Sequence, residues 1–259
     1  MTIKQILKKD DISLNDKKII LSYILNIKPT QLVLINEIKP IHYLKYKYYL
    51  IKLIKGKPLQ YVLKNTNFYG YDFYVNKNVL IPRPETEYLV EYLSEYIKDD
   101  HLSVLDLGTG SGCIAITLKK LYPSLDIYAS DISKKALNIA KNNAKKHNVD
   151  INFIKSDLFN NINKSFDIII SNPPYIDIDE NIEDIVKNNE PHIALYAKDK
   201  GLYFYKEILK RKAKLFAFEI GSNQKDKILG IINAYYPKAK VITKKDLNNL
   251  DRYIYVISK

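Results

Sequence analysis

The sequence predicts an α/β fold: a parallel sheet covered by helices, preceded by a small N-terminal helical bundle and a β-hairpin linker. Three observations carry this reading. Up to about residue 63, apolar side chains recur at helical spacing. Beyond about residue 100, short apolar runs alternate with amphipathic helical stretches, the order that builds βα units. Between the two, aromatic and β-branched residues flank a short polar turn. The expected divisions are a helical domain over 1–63, a hairpin linker over 64–84 and a sheet domain over 85–259.

In the first division, Ile19, Ile20, Tyr23, Ile24 and Ile27 form one helical row and Ile41, Leu44, Tyr48, Ile51 and Ile54 another, punctuated by Lys28-Pro29 and Lys39-Pro40. Asp11 to Ser13 offers a cap, because a serine oxygen can satisfy the free N–H groups of a first turn. The hairpin is read from Phe68, Tyr69, Tyr71, Phe73 and Val75, then Val79 to Ile81, with Asn76 to Asn78 as the turn. Pro82 and Pro84 end it, and Glu85 and Glu87 open a helix where acidic residues suit the dipole. Strands are then expected at Ser103 to Leu107, Asp126 to Ala129, Ile151 to Lys155, Phe166 to Ser171, Leu215 to Ile220, Val241 to Ile242 and Tyr253 to Ile257. Helices fall from Ser111, over 133–147 and over 223–235.

Composition narrows the function. A hydrophobic content of 46% over 259 residues supports a buried core. No stretch is long and apolar enough for a membrane span or secretory signal, so a soluble, cytoplasmic protein with no membrane partner is expected. The single Cys113 cannot form an internal disulfide, and His42, His101, His147 and His192 lack metal-ligand spacing, so no metal is expected. The formal charge of +12 invites a nucleic-acid reading. Against it, Arg83, Arg211 and Arg252 are the only arginines, and arginine is the usual bidentate reader of guanine. No specific nucleic-acid partner is expected, and a monomer is.

Two segments carry chemistry. Val104 to Leu107 runs directly into Gly108, Thr109, Gly110, Ser111 and Gly112 and then a helix, so a tight turn lets backbone and free helical N–H groups approach a polar ligand. The spacing matches neither a phosphate loop nor the dinucleotide fingerprint. Asp131, ending the next strand, can accept both hydroxyls of a ribose or can serve with Ser133 as a helix cap. Asp157, after the third strand, can accept an adenine amino group. The second segment is Asn172, Pro173, Pro174 and Tyr175 at the end of an apolar strand. A side-chain amide and a carbonyl held by two prolines can accept both hydrogens of an NH2 group while the ring packs against its carrier. That describes methyl transfer to a planar nitrogen, with neither metal nor covalent nucleophile. A rigid turn that stops a strand is the purely structural alternative.

Taken together these residues resemble the class I S-adenosylmethionine-dependent methyltransferases, whose sheet is Rossmann-like. Over its whole length the chain resembles the bacterial-type release-factor glutamine N5-methyltransferases. The resemblance rests on Pro58-Leu-Gln-Tyr-Val62, Phe68-Tyr-Gly70, Val79-Leu-Ile-Pro-Arg-Pro-Glu-Thr-Glu87, the run from Val104 to Cys113, Asp131-Ile-Ser133, Asn172 to Ile176, Glu190-Pro191, Ala194-Leu195, Gly201-Leu202, Glu219-Ile-Gly221, Lys245-Asp246 and Arg252. It implies S-adenosylmethionine as methyl donor, lined by Gly108 to Gly112, Asp131, Asp157, Leu158 and Asn172. It implies class-1 peptide-chain release factors as partners, with the glutamine of their Gly-Gly-Gln loop held by Asn172 to Tyr175 and the helical domain as docking site. Asn172, Pro173 and Tyr175 are the expected catalytic residues.

Two positions depart from the family pattern. Lys64 stands where a glycine is usual, and Leu158 where an aromatic residue often lies beside adenine, with Phe159 as an alternative stacking surface. Arg83 and Glu85 read equally as a salt link beside the linker or as substrate contacts, and Glu190 as a pocket residue or a surface helix terminus. Cys113 reads as a small buried residue, although a helix N-terminus can lower a thiol pKa. Tyr43, Tyr46, Tyr48 and Tyr49 read as helix core and rim rather than a stacking platform. Two rival functions remain: a base N-methyltransferase that flips its target out of the stack, and a ribosome-associated module that senses the donor without turnover.

Overall fold

The computed structural model describes residues 2–8, 12–97 and 101–258. Its helices and strands, in chain order, are α1 (Ile3–Leu7), α2 (Leu14–Leu25), α3 (Pro40–Ile54), α4 (Leu59–Leu63), β1 (Thr66–Phe68), β2 (Tyr71–Phe73), α5 (Pro84–Ser94), β3 (Ser103–Leu107), α6 (Cys113–Leu121), β4 (Asp126–Asp131), α7 (Lys134–Lys146), β5 (Asn152–Lys155), β6 (Ile168–Ser171), β7 (Ile176–Asp177), α8 (Asp184–Asn189), β8 (Tyr196–Ala197), α9 (Tyr203–Leu209), β9 (Leu215–Glu219), α10 (Lys225–Tyr235), β10 (Lys240–Lys245) and β11 (Asp251–Ile257). Two compact units result: Met1–Asn65 with Glu183–Asn189, and Thr66–Ile182 with Glu190–Lys259.

The first unit is helical around Ile3, Ile6, Ile20, Leu21, Leu32, Ile38, Tyr46 and Leu63. Ser13 caps α2, its hydroxyl accepting from the Asp16 N–H at 3.1 Å, while Asp11 lies outside the described residues. In α3 the row that signals a helix in the sequence is not the row that packs. Ile41, Leu44, Tyr48, Ile51 and Ile54 are 51–62% exposed, and the helix instead turns Tyr43, Tyr46, Tyr49, Leu50 and Leu53 onto the core. Both rows fit the helical period, so spacing alone does not choose between them.

Lys64 ends α4 in the left-handed region, φ 55°, and the Asn65 N–H reaches back to the Gln60 carbonyl at 3.0 Å. The turn expected of a glycine is therefore kept by a lysine, against the clash between Cβ and the carbonyl that glycine escapes.

In the second unit seven strands form one sheet in the order β10-β11-β9-β6-β3-β4-β5. The β3–β4, β4–β5, β3–β6 and β6–β9 pairs are parallel, while β11 runs antiparallel to both β9 and β10. A short connection from β10 to β11 leaves no length for a crossover, so that pair must be antiparallel. Strand residues alternate between two cores. Val104, Ile168, Ile170, Leu215, Ala217, Tyr253 and Tyr255 face one, which holds residues of α5 and α6. Leu105, Leu107, Ile169, Phe216, Phe218, Ile254 and Val256 face the other, which holds residues of α9 and α10. Tyr253 and Tyr255 also donate their hydroxyls to the Glu85 and Leu89 carbonyls, pinning α5 to β11.

The hairpin forms around a different turn from the one the sequence suggests. β1 and β2 pair antiparallel across Tyr69 and Gly70, both at positive φ (52° and 78°), the conformation that matches the twist of a two-residue hairpin. Asn76 to Asn78 is a separate turn, with the Asn76 side chain accepting from the Asn78 N–H at 2.9 Å. Val79 to Ile81 is not part of a strand: Val79 and Ile81 are buried, and the Ile81 N–H donates to the Glu190 carboxylate at 3.1 Å.

Replacing Lys64 with glycine removes the steric conflict at φ 55°. Chemical denaturation of Lys64→Gly is expected to give about 1 kcal/mol more stability than the parent; an equal or lower midpoint would show that the lysine sits there without strain.

Candidate active site

The chain leaves β3 for β4 and β5 on one side, then returns to place β6 on the other side of β3. This reversal opens a crevice at the carboxyl ends of β3 and β6, the place where doubly wound sheets bind ligands. A pocket lies there, lined by Gly108 and Gly110 after β3, Asp131 at the end of β4, Asp157 and Leu158 after β5, and Asn172, Pro173 and Pro174 after β6. The sequence-predicted residues absent from its lining are Thr109, Ser111, Gly112 and Tyr175.

The absences of Thr109, Gly112 and Tyr175 have physical reasons. Thr109 is buried and donates its hydroxyl to the Asp106 carboxylate at 2.6 Å. A Cβ on Gly112 would press on Ile116 and Ala140 at 3.0 and 3.1 Å, so this glycine lets α6 and α7 approach. Gly108 and Gly110, at φ 80° and 56°, face open space where a Cβ would meet nothing within 4 Å. The loop is held from behind: both the Gly108 and Thr109 N–H groups donate to the Ser130 carbonyl at 2.9 Å. Asn143, fully buried on α7, donates to the Ser111 and Tyr74 carbonyls and accepts from the Tyr74 N–H. Nothing in the sequence separates Asn143 from the other asparagines of that helix.

Asp131 uses one oxygen to accept from the Ser133 N–H at 2.8 Å and the other from the Gly110 N–H at 2.9 Å. The helix cap itself is Ser133, whose hydroxyl accepts from Ala136 N. Asp131 thus ties the glycine turn to the start of α7, with lone pairs remaining on both oxygens. Burial raises its pKa. Leu158 adopts a left-handed φ of 47°, which leaves it lining the pocket while Phe159 enters the core beneath the Arg211 guanidinium, 4.7 Å from its ring centroid. The alternative stacking surface offered by Phe159 is therefore overturned.

Asn172 follows β6 on the face shared with Ile168 and Ile170, and Glu219 ends β9 on the face shared with Leu215 and Ala217. Both therefore meet the first turn of α5. The Asn172 Nδ2 donates to Thr86 Oγ1 at 3.1 Å, and Thr86 Oγ1 donates to Glu219 Oε2 at 2.7 Å. With its NH2 engaged by Thr86, Oδ1 is the end of the Asn172 amide left to accept from a ligand. Burial pushes the Glu219 carboxyl up to about 7, while the Thr86 hydrogen bond and the Arg252 charge pull it down.

Tyr175 packs its ring on the second core, and burial pushes its hydroxyl up to about 12. Its carbonyl accepts from Gln224 Nε2 at 2.7 Å. Gly201, at φ 81°, passes so close that a Cβ would collide with the Tyr175 carbonyl oxygen and with Gln224 Nε2. Arg83 pairs with Glu190 at 2.5 Å, not with Glu85, and Glu190 is buried rather than a surface terminus. Burial drives the Cys113 thiol up to about 12, so the helix N-terminus does not activate it. The pocket wall also includes Phe204 and Ile208 of α9, a helix the sequence reading did not recognise.

Solved structures bear on the fold first. The chain is similar to a methyltransferase from Pyrococcus furiosus (TM-score 0.55, 16% identity, 82% of this chain and 98% of that one). It is also similar to a 16S rRNA methyltransferase from T. thermophilus solved with AdoMet and guanosine (TM-score 0.54, 16% identity, 75% and 50%). At such identities the likeness establishes the fold, and the family model for the methyltransferase small domain matches residues 84–190. Curated relatives then define the family. Release factor glutamine methyltransferase from Flavobacterium psychrophilum is 41% identical, over 92% of this chain and 89% of the relative. The Bacillus subtilis protein of the same name is 42% identical, over 77% and 75%. The chain is a methyltransferase and belongs to the release factor glutamine methyltransferase family.

Gly201 offers a test of how firmly the turn after Pro174 is held. Gly201→Ala is expected to cost about 3 kcal/mol in denaturant unfolding, the order seen for overpacking at a backbone contact; a loss below about 0.5 kcal/mol would mean that the turn yields freely.

Proposed function

We propose that this protein methylates the side-chain amide nitrogen, N5, of the glutamine in the Gly-Gly-Gln loop of class-1 peptide-chain release factors, with S-adenosylmethionine as donor. The observation that carries this reading is the Asn172 amide, turned with its NH2 onto Thr86 in the lining of the pocket shared with Gly108, Gly110 and Asp131.

The pocket residues fit the donor. Open space above Gly108 and Gly110 admits a ligand close to the backbone, and the Asp131 oxygens keep lone pairs for two ribose hydroxyls. Asp157 would accept the adenine amino group, and Leu158 would give adenine an aliphatic surface in place of an aromatic one. S-adenosylmethionine supplies, when bound, an electrophilic methyl group on a sulfonium.

The remaining work is orientation. A carboxamide nitrogen is a poor nucleophile because its lone pair is delocalised into the carbonyl. In this reading Asn172 Oδ1 and the Pro173 carbonyl each accept one N–H of the substrate amide, and Pro173 and Pro174 hold these acceptors rigid. The nitrogen lone pair is then aimed at the methyl carbon, which is the gain that positioning provides. Tyr175, gripped through its carbonyl by Gln224, closes the turn. No general base is assigned, since the nitrogen becomes far more acidic once alkylated and the proton leaves afterwards.

The test uses the protein, labelled S-adenosylmethionine and a class-1 release factor. Label is expected on the wild-type factor and not on its loop Gln→Ala variant, and label that survives in that variant refutes glutamine specificity. Asn172→Ala is expected to lower kcat at least about a hundredfold while donor affinity by calorimetry changes little; an unchanged kcat removes Asn172 from the chemistry.

A further inference from the structure

We infer that Thr86 and Glu219 are positioning residues that fix which end of the Asn172 amide faces the substrate, an inference that rests on the function proposed above. A side-chain amide is nearly symmetric in shape, so packing alone does not decide whether its oxygen or its NH2 points into the pocket. The hydrogen-bond chain behind it does.

The Thr86 hydroxyl has one proton. It gives that proton to Glu219 Oε2 at 2.7 Å and accepts from Asn172 Nδ2 at 3.1 Å. An ionised carboxylate can only accept, so it sets the direction of the whole chain: Asn172 to Thr86 to Glu219. Turning the amide over would set Oδ1 against a hydroxyl oxygen whose proton is already committed, two lone pairs face to face. It would also present NH2 to the NH2 of the substrate.

Thr86 and Glu219 are 3% and 2% exposed, so water does not substitute for either partner. Glu219 has no ion pair among the described residues. Arg252 is spent on Asp246 and on the Ile220 carbonyl. The other charged and titratable groups around Glu219 are Glu85 on α5, Tyr205 on α9, whose hydroxyl donates to the Glu219 carbonyl, Tyr253 on β11 and Tyr175. Glu219 is tied to Asn172 through Thr86 and also through a weaker side-chain hydrogen bond of its own, and it does not line the pocket, so it acts on Asn172 and not on the reacting nitrogen.

Protonation reverses the logic. A neutral Glu219 can donate to Thr86, which frees the threonine proton for Asn172 Oδ1 and permits the wrong orientation. Because burial pushes Glu219 up to about 7, above the ordinary carboxylate range, the directing form is lost as pH falls through neutrality. Turnover therefore rises with pH over that range without any general base.

The experiment measures kcat and KM for release-factor methylation from about pH 6 to about pH 9 in the full chain and in Thr86→Val, Thr86→Ser and Glu219→Gln, with circular dichroism as the fold check. Thr86→Val keeps the shape and loses the hydroxyl, and is expected to lower kcat at least about tenfold with KM within about twofold. Thr86→Ser restores the hydroxyl and is expected to stay within about threefold of wild type. Glu219→Gln is expected to lose the acidic limb of the profile. Wild-type kcat in Thr86→Val, or an acidic limb that persists in Glu219→Gln, overturns the inference, as does a serine variant no better than valine. If Thr86→Val does not fold, the Glu219→Gln profile decides alone. A wild-type protein that does not label the release factor at all overturns the proposed function first, and the inference with it, so the two failures are told apart.

Discussion

The proposed chemistry depends on which end of the Asn172 amide faces the pocket, and the hydrogen bond from its NH2 to Thr86 bears on that most directly. An asparagine side chain can donate or accept at the same place, and the proposed methyl transfer needs an acceptor there. The bond to Thr86 turns the NH2 end away from the pocket, so the oxygen remains for it. What holds this arrangement is a buried hydroxyl on α5 with the Glu219 carboxylate behind it.

The fold delivers those groups through two simple geometric facts. Crossing from β5 back to β6 opens the crevice at the ends of β3 and β6, which brings the glycine turn and Asn172 to one pocket. Strand alternation then decides the rest. Residues of even number in β6 and odd number in β9 face α5, so Asn172 and Glu219 project to the same side as Thr86. Tyr253 and Tyr255 fix α5 on that face through the Glu85 and Leu89 carbonyls, so the partner helix is itself located by the sheet. A one-residue slip in β9 would send the carboxylate to the opposite core.

Much of this was legible in the sequence. The sheet strands were readable because each is a short apolar run ended by a turn signal, and the glycine turn, Asp131 and Asn172 to Pro174 were readable because each sits where a strand stops. What escaped was side-chain geometry. Periodicity fitted two faces of α3 and could not say which one packs. The hairpin turn was misplaced because Asn76 to Asn78 has better turn chemistry than Tyr69 and Gly70, yet the latter pair takes the positive φ values. Phe159 looked like a stacking surface until the left-handed Leu158 turned it into the core. Asn143 looks ordinary in its helix, and Thr86 and Glu219, although they stand in segments that carry the family resemblance, give no local sign of the partners they meet. Their roles exist only between elements far apart in the chain, which no local pattern encodes.

The most direct measurement is a crystal structure of the protein with S-adenosylhomocysteine and a peptide containing Gly-Gly-Gln. The account predicts the glutamine side-chain nitrogen at about 3 Å from both Asn172 Oδ1 and the Pro173 carbonyl oxygen, with Asn172 Nδ2 still on Thr86. A glutamine bound away from these two oxygens, or met by Nδ2 of a reversed Asn172, would contradict it.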